Sequence, residues 1–479
     1  VSKAVLVSDK IPTVEYDDDN KPDGVRYVDL YESTGRVYIR KISGFYQKVR
    51  RYTGLPLLAV FLLMPWFTID GRPAMLFDLP ARKFHIMWLT FWPQDSMLLG
   101  WLLIIAAFLL FTVTVLVGRV WCGFTCPQTV WTHMFVWAEH FCEGDRNKRI
   151  KLDQQSMNLN KFLRKTAKHS LWIYISLITA ISFVGYFTPI GNLITDLLAF
   201  DVSGPVAFWV GFFTLATFSN AGYLREQVCK YMCPYARFQS VMYDEDTLAV
   251  HYDVSRGENR GARKSGDDYQ AKGLGDCIDC SWCVQVCPVD IDIRDGLQYE
   301  CINCGLCVDA CNTVMDKMTY SRGLIRFTSE GDLSRGKTKF LRPRLYAYGL
   351  IMVTMIGSFA YTIAARVPVT VDVIRDRGAR LYRLQGDKVQ NVYTVKINNM
   401  DRKSHKYTIS VSGEHDYTLK GYRAMELEEG EVFTLPLRIS VPRSQLTHAK
   451  NDIVLTVTAL DDPTMSATEV SSFIGPKSQ

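Results

Sequence analysis

No cysteine precedes Cys122 and none follows Cys311, although the chain holds 13 of them. A secreted disulfide scaffold would spread its cysteines through the exported part, so this crowding excludes that class and points to metal ligation on the reducing side of a membrane. The start lacks a signal-peptide pattern. Residues 1 to about 35 are acidic and polar, with Asp17, Asp18 and Asp19 in a row, which predicts a cytosolic N-terminal segment. A net charge of +6 over 479 residues is modest, and the basic residues sit beside apolar runs. Membrane topology explains that distribution, and no nucleic-acid partner is expected. None of the apolar runs carries a histidine at its middle, which speaks against haem held inside a bilayer.

What the chain does have is long uncharged runs. Residues 98–118 contain no charge and cover ~30 Å at ~1.5 Å per residue, the thickness of the bilayer core. Residues 171–190, 205–224 and 345–364 are comparable, and 54–69 is shorter, interrupted by Pro56 and Pro65, and needs flanking residues such as Tyr52 to cross. Five transmembrane helices are expected. Arg36, Arg40, Lys41, Lys48, Arg50 and Arg51 precede the first, and Arg119, Arg146, Lys148, Arg149, Lys151, Lys161, Arg164, Lys165 and Lys168 lie between the second and third. The loop 70–97 has only Arg72, Arg82 and Lys83, and 191–204 has no basic residue. Positive loops stay inside, so residues 225–344 are expected in the cytosol and those after Arg366 in the periplasm of a bacterial inner membrane.

Between the fourth and fifth runs, Cys277, Cys280, Cys283 and Cys287 precede Pro288, and Cys301, Cys304, Cys307 and Cys311 repeat the spacing. Three cysteines at two-residue gaps wrap one [4Fe-4S] cubane, while the fourth reaches the neighbouring cluster. The expected ligand sets are Cys277, Cys280, Cys283 and Cys311 for one cluster and Cys301, Cys304, Cys307 and Cys287 for the other. Paired zinc sites would leave half of this spacing unexplained. Asn312 stands where proline would be usual, which loosens the turn without removing a ligand. The preceding 253–275, rich in glycine and charge, fits a flexible linker or a hinged loop over the clusters.

A second repeat lies at the ends of two apolar runs: Cys122 and Cys126 before Pro127, and Cys229 and Cys233 before Pro234. Cysteines four apart share one helical face, and each proline marks a bend into a new helix. Four thiols brought together in this way suit a soft metal such as Cu(I), a third iron–sulfur cluster, or redox-active thiols, with Arg119 and Arg225 near enough to lower their pKa; buried space-filling thiols are the plainer alternative. The segment after Pro127 is aromatic and amphipathic and is expected to lie along the interface. Its His133 and His140, and His85, Met87 and Met97 in the outer loop, are read as interfacial before they are read as metal ligands, and Cys142 as structural. Beyond residue 366 the runs VTVDVI, VYTVKINN, KYTISVSG, VFTLPLRISVP and IVLTVTAL alternate at regular intervals, as in an immunoglobulin-like β-sandwich without catalytic groups.

The expected organisation is thus a cytosolic segment (1–50), a membrane domain with four helices and both C-x-x-x-C-P motifs (51–248), a cytosolic ferredoxin-type domain with two [4Fe-4S] clusters (249–342), a fifth transmembrane helix (343–365) and a periplasmic Ig-like β-sandwich (366–479). WCGFTCPQTVW from Trp121, CKYMCPYARFQSVM from Cys229 and QYECINCGLCVDACNTVMDKM from Gln298 resemble the CcoG (RdxA/FixG) family of cytochrome c oxidase accessory proteins. The resemblance implies an oxidoreductase that converts Cu(II) to Cu(I) for the copper site of a cbb(3)-type oxidase, with Cys122, Cys126, Cys229 and Cys233 as the reacting thiols. Implied partners are copper ions, oxidase subunits or assembly factors, an electron donor still to be identified, and the lipid membrane; a homo-oligomer is compatible. Two other functions fit the same motifs: a quinol dehydrogenase module like the NapH-type proteins, and a scaffold for oxidase assembly whose clusters are only structural.

Overall fold

The computed structural model describes residues 37–476 apart from 70, 88, 377–380, 402 and 447. The acidic N-terminal segment, including Arg36, lies outside the described residues. Helix α1 (Phe45–Leu63) begins at Gly44, which has no side chain to cap it. The carboxylate of Asp309, from the distant cluster domain, takes that role by accepting from the amides of Tyr46 at 3.2 Å and Gln47 at 2.8 Å. A hairpin sheet of Met75–Asp78, Lys83–Ile86 and Leu89–Phe91 leads to α2 (Ser96–Val117), followed by the single turn α3 (Val120–Phe124) and by α4 (Pro127–Cys142). Then come α5 (Arg146–Gln154), α6 (Leu159–Val184), α7 (Ile190–Ala199) and α8 (Gly204–Ser219).

Among the described residues, α2, α6 and the helix Pro343–Ala364 are long and apolar enough to cross a membrane. A fourth crossing results if α7 and the helical run Gly204–Met232, bent by 95° at their break, form one span. The expected count of five is therefore not reached on these helices. The first candidate, 54–69, is the second half of α1, whose first half carries Lys48, Arg50 and Arg51, and it ends in a 3-10 turn at Trp66. Two other boundaries also shift. The third run starts a dozen residues early because α6 extends past the apolar core through Lys161–Lys168, and 191–204 contains a helix instead of a plain loop. Leu99, Leu103 and Ile104 of α2 and Leu350 and Val353 of Pro343–Ala364 are all exposed, as side chains solvated by lipid should be.

Strands Ala249–Tyr252 and Ile325–Thr328 pair antiparallel and enclose the cluster domain, which rests on the ends of α1, α2 and α3. The stretch 253–275 is not a flexible linker. Arg256 holds Asp276, Arg263 stacks on Tyr269 and Tyr320 and donates to the Gly275 carbonyl at 2.6 Å, and Tyr269 donates to Asp276 at 2.8 Å. Its charges are used as fasteners, which composition alone does not reveal.

At the opposite end of the helices stands a β-sandwich. One sheet runs Thr418–Lys420, Val432–Pro442, Lys388–Asn399, Val369–Arg375, with Arg383–Gln385 also on Lys388–Asn399; the other runs Met425–Leu427, His405–Gly413, Lys450–Ala459, Ser466–Ile474. Tyr393, Val395 and Ile397 alternate inward to meet Tyr407, Val457 and Phe473, all fully buried. The hairpin sheet before α2 docks here: Arg366 pairs with Asp95 at 2.6 Å, and Trp92 packs under Gly430.

Candidate metal centres

Two cavities occupy the middle of the cluster domain. Cys277, Cys280, Cys283 and Cys311 line one; Cys287, Cys301, Cys304 and Cys307 line the other, with Cys283 on their common border. Both are formed in the same way. Asp279 and Ser281 in the first loop, and Asn303 and Gly305 in the second, adopt left-handed backbone that turns successive thiols inward. Gly305 has a further reason to be glycine, since a Cβ there would stand 2.5 Å from the ring of Tyr46. Cys311 reaches the first cavity from the helix Leu306–Met318. That helix continues seven residues beyond Cys311, so Asn312 sits in a helix interior and loosens no turn. Proline would break the helix there, and Asn312 accepts from the amide of Gly323 at 3.1 Å.

The donor set suits cubanes. Among the described residues no three His, Cys, Asp or Glu side chains converge on a point that could hold a single ion. The thiols surround a volume, as a cubane requires and a zinc ion does not. Burial pushes Cys283, Cys301 and Cys311 up to about 12, so as bare thiols they stay protonated near neutrality. A bound cation is what makes thiolates sustainable in such a place.

The C-x-x-x-C-P motifs form a second thiol group at the membrane end of this domain. Cys122 lies in α3, but Cys126 is the extended residue that starts α4, with Pro127 in its first turn. Cys229 lies in the π-helical turn Val228–Met232, and Cys233 likewise starts the helix Pro234–Val241 with Pro234 in its first turn. Each proline makes the expected bend. The two cysteines of a pair therefore do not share one helical face, because the helix ends between them. The four thiols lie in one neighbourhood, since Cys126, Cys229 and Cys233 all bear electrostatically on Cys122, but no three of them meet at a point that could hold a single ion. At both Cys122 and Cys229 burial outweighs Arg119, which pulls the thiols down as a neighbouring cation should. Burial holds Cys122 up at about 12 against the pull of Arg119, and Arg225 is spent on Glu139 at 2.7 Å.

This group touches the second cavity directly. Gly123 packs so closely on the cluster loop that a Cβ would stand 2.6 Å from the Ile302 carbonyl and 3.0 Å from Cys304 Cα. Arg119 lies between the two thiol sets, almost fully buried, and donates to the Tyr299 carbonyl. Its charge acts on both Cys122 and Cys301, and its Nε and Nη2 are buried without a hydrogen-bond partner. A buried guanidinium in that condition calls for negative charge beside it, which metal-bound thiolates supply. Cys122 Sγ donates to Gln239 at 3.2 Å, and Gln239 is held in turn by Thr114 and Tyr235.

Sequence reasoning missed the ionic lock behind this site. Glu139 is fully buried between Arg149 and Arg225, and Glu143 between Lys165 and Lys168, at 3.0 and 3.1 Å. The i, i+4 spacing of Glu139 and Glu143 at the end of a helix with no Lys, Arg or Asp was the available signal. Of the other candidates, His85 is held within the hairpin sheet by Arg72 and Thr90, Met97 is exposed at the start of α2, and Cys142 ends α4. His133 and His140 line a cavity between α1, α4 and the cluster domain, while Trp137 and Phe141 of α4 are exposed on its outer side.

Three family models match the chain: "4Fe-4S dicluster domain" over 224–330, "4Fe-4S binding domain" over 99–149, and "IG-like fold at C-terminal of FixG" over 359–476. Nitrogen fixation protein FixG of Rhizobium meliloti is 33% identical over 89% of this chain and 90% of its own length. Protein RdxB of Cereibacter sphaeroides is 37% identical over 85% and 87%, and protein RdxA of the same organism 36% over 80% and 84%. A solved structure of a FixG-related protein from Vibrio parahaemolyticus is 30% identical over 22% of this chain and 95% of that one, with a TM-score of 0.21.

Proposed function

The chain belongs to the FixG/RdxA family of iron–sulfur electron-transfer proteins, and from that premise we propose that it reduces Cu(II) to Cu(I) at the membrane surface. Cys277, Cys280, Cys283 and Cys311 hold one [4Fe-4S] cluster, and Cys287, Cys301, Cys304 and Cys307 the other. Bound there, the clusters supply reversible one-electron exchange. The observation that carries the proposal is the seat of Gly123 on Ile302–Cys304, which leaves no layer of protein between the second cavity and the Cys122 loop.

Cys122, Cys126, Cys229 and Cys233 receive the substrate ion or a further cluster beside it. Soft thiolates favour Cu(I) over Cu(II), so they pull a one-electron reduction toward product. Arg119 balances the negative charge of both thiol sets, and the Glu139–Arg149–Arg225 lock fixes α4, and with it Cys126, against α5 and the turn before Cys229. The positive loops orient the cluster domain to the cytosol of a bacterial inner membrane and the sandwich to the periplasm, with α1 as a fifth crossing. There the sandwich is a docking module for subunits or assembly factors of a cbb(3)-type oxidase that takes up Cu(I).

The test is anaerobic Cu(II) reduction by the dithionite-reduced full chain, followed with a Cu(I)-specific chelator. Replacing Cys122, Cys126, Cys229 and Cys233 together by serine is expected to lower the rate at least tenfold while the iron of the two ferredoxin-type clusters is retained. An unchanged rate removes the thiols from the mechanism.

A further inference from the structure

A cavity of about 670 Å³ opens where α1 and α4 meet the cluster domain. Its size is that of a small-molecule pocket, for which roughly 300–1,000 Å³ is usual. Its inner wall is Pro288 and Leu306. Pro288 follows Cys287 directly, and Leu306 also lines the cavity of Cys287, Cys301, Cys304 and Cys307, so a ring bound here lies one side-chain layer from that cradle. The outer rim is Leu55, Trp137 and Phe141, with the two aromatic rings stacked at 5.8 Å and all three exposed. An apolar, aromatic rim at the end of a membrane helix bundle gives lateral access from lipid.

The polar groups narrow the ligand. Arg40 is committed to Trp282 at 3.8 Å and to Gln285, and Arg50 is buried with its charge acting on Cys287 and Cys304. An anionic head group would meet Lys41 and Arg51 at exposed positions, while the inner guanidiniums of Arg40 and Arg50 face the Trp282 ring and the cysteine cradle. His140 Nε2 is taken by the Ile39 carbonyl at 3.1 Å. His133 has no hydrogen-bond partner among the described residues, and burial together with Arg50 and Arg51 holds it down at about 3, a neutral imidazole with a free accepting nitrogen. Apolar walls, a neutral acceptor and an adjacent electron acceptor suit an uncharged aromatic diol better than a phosphate.

We propose that this cavity binds the ring of a membrane hydroquinone, that His133 accepts a hydrogen bond from one ring hydroxyl, and that electrons enter the protein here. The hydroquinone loses the protons of both O–H bonds to water at the cavity mouth and gives one electron to each of the two [4Fe-4S] clusters, leaving the quinone. The proposal rests on the reading of the eight cysteines as cluster ligands, because those clusters are the oxidant.

The experiment is photolabelling of the detergent-purified full chain with an azido-benzoquinone carrying a short alkyl tail, mapped by peptide mass spectrometry. Labels are expected on residues 50–55 and 132–141, with decylubiquinone competing and an anionic phospholipid such as cardiolipin not competing. Leu55→Trp, which fills the cavity from the lipid side, should lower labelling at least fivefold with iron and acid-labile sulfide unchanged, and His133→Phe should weaken decylubiquinone competition. Labels elsewhere, or competition by cardiolipin alone, overturn the site. Decylubiquinol should also bleach the cluster absorbance of the anaerobic oxidised protein; failure to do so while dithionite still bleaches it overturns electron entry here and leaves the electron-transfer function standing. Material without iron and sulfide fails that function instead, whatever the labelling shows.

Discussion

The β-sandwich fills its core with Tyr393, Tyr407, Phe473 and aliphatic side chains that leave no solvent-exposed surface, whereas the cluster domain arranges eight thiols around two cavities in the middle of its own core. Apolar burial completes the first, and its strands alternate accordingly. In the second, buried thiols contribute little cohesion as protonated groups, and the loops that carry them bend through left-handed backbone at Asp279, Ser281 and Asn303. Apolar side chains such as Val286, Ala310 and Met315 also pack this domain, and ligation of its thiols is expected to add stability that the sandwich does not need.

The largest expected effect breaks this contrast open. Removing iron with a chelator under anaerobic conditions should abolish amide-exchange protection across residues 249–342 and leave 366–476 protected; equal loss in both regions would mean that the sandwich also depends on the clusters. Next in size is Gly123→Val, whose side chain must push against backbone at Ile302–Cys304. Overpacking of this kind costs about 1–3 kcal/mol. It should raise exchange around residues 301–307 and in α3 with no change in the sandwich.

Asp309→Ala removes the carboxylate that caps α1 from the cluster domain, at a cost of about 1 kcal/mol. Faster exchange of the Tyr46 and Gln47 amides is the direct readout. The smallest effect belongs to the sandwich. His405 lies between Asp401 at 2.7 Å and Asp461 at 2.6 Å, a charged cluster that its strand pattern does not announce. Burial works against its charge, but these two carboxylates outweigh that and raise it above the ordinary histidine value. The imidazolium therefore stabilises the folded sandwich fully below about pH 6.5 and progressively less as pH rises through the raised value. Thermal unfolding of residues 366–476, followed by exchange between pH 6 and pH 9, should fall with pH in the wild type, and His405→Gln should flatten the slope at a cost of about 1 kcal/mol.

Local chemistry made much of the protein legible. The two-residue gaps from Cys277 to Cys283 and from Cys301 to Cys307 dictate tight loops, the prolines after Cys126 and Cys233 dictate bends, and the alternation through Tyr393, Val395 and Ile397 dictates a half-buried strand. Each follows from forces acting over a few residues. The same reasoning counted five spans from apolar runs alone, whereas α1 continues from the charged turns at Lys48, Arg50 and Arg51 and is not among the helices that are long and apolar enough by themselves to cross. It also took the charges of 253–275 for mobility when they are paired.

By itself, the sequence determined that this chain carries membrane helices, two cubane-type cysteine sets and a terminal sandwich, since spacing and periodicity constrain backbone and side chain directly. Only the tertiary structure decided that Gly123 touches the loop of Cys304, that Arg119 stands between two thiol sets, and that Glu139 joins Arg225, 86 positions away. Such contacts depend on how separate helices pack, and no local pattern encodes which buried charge will meet which.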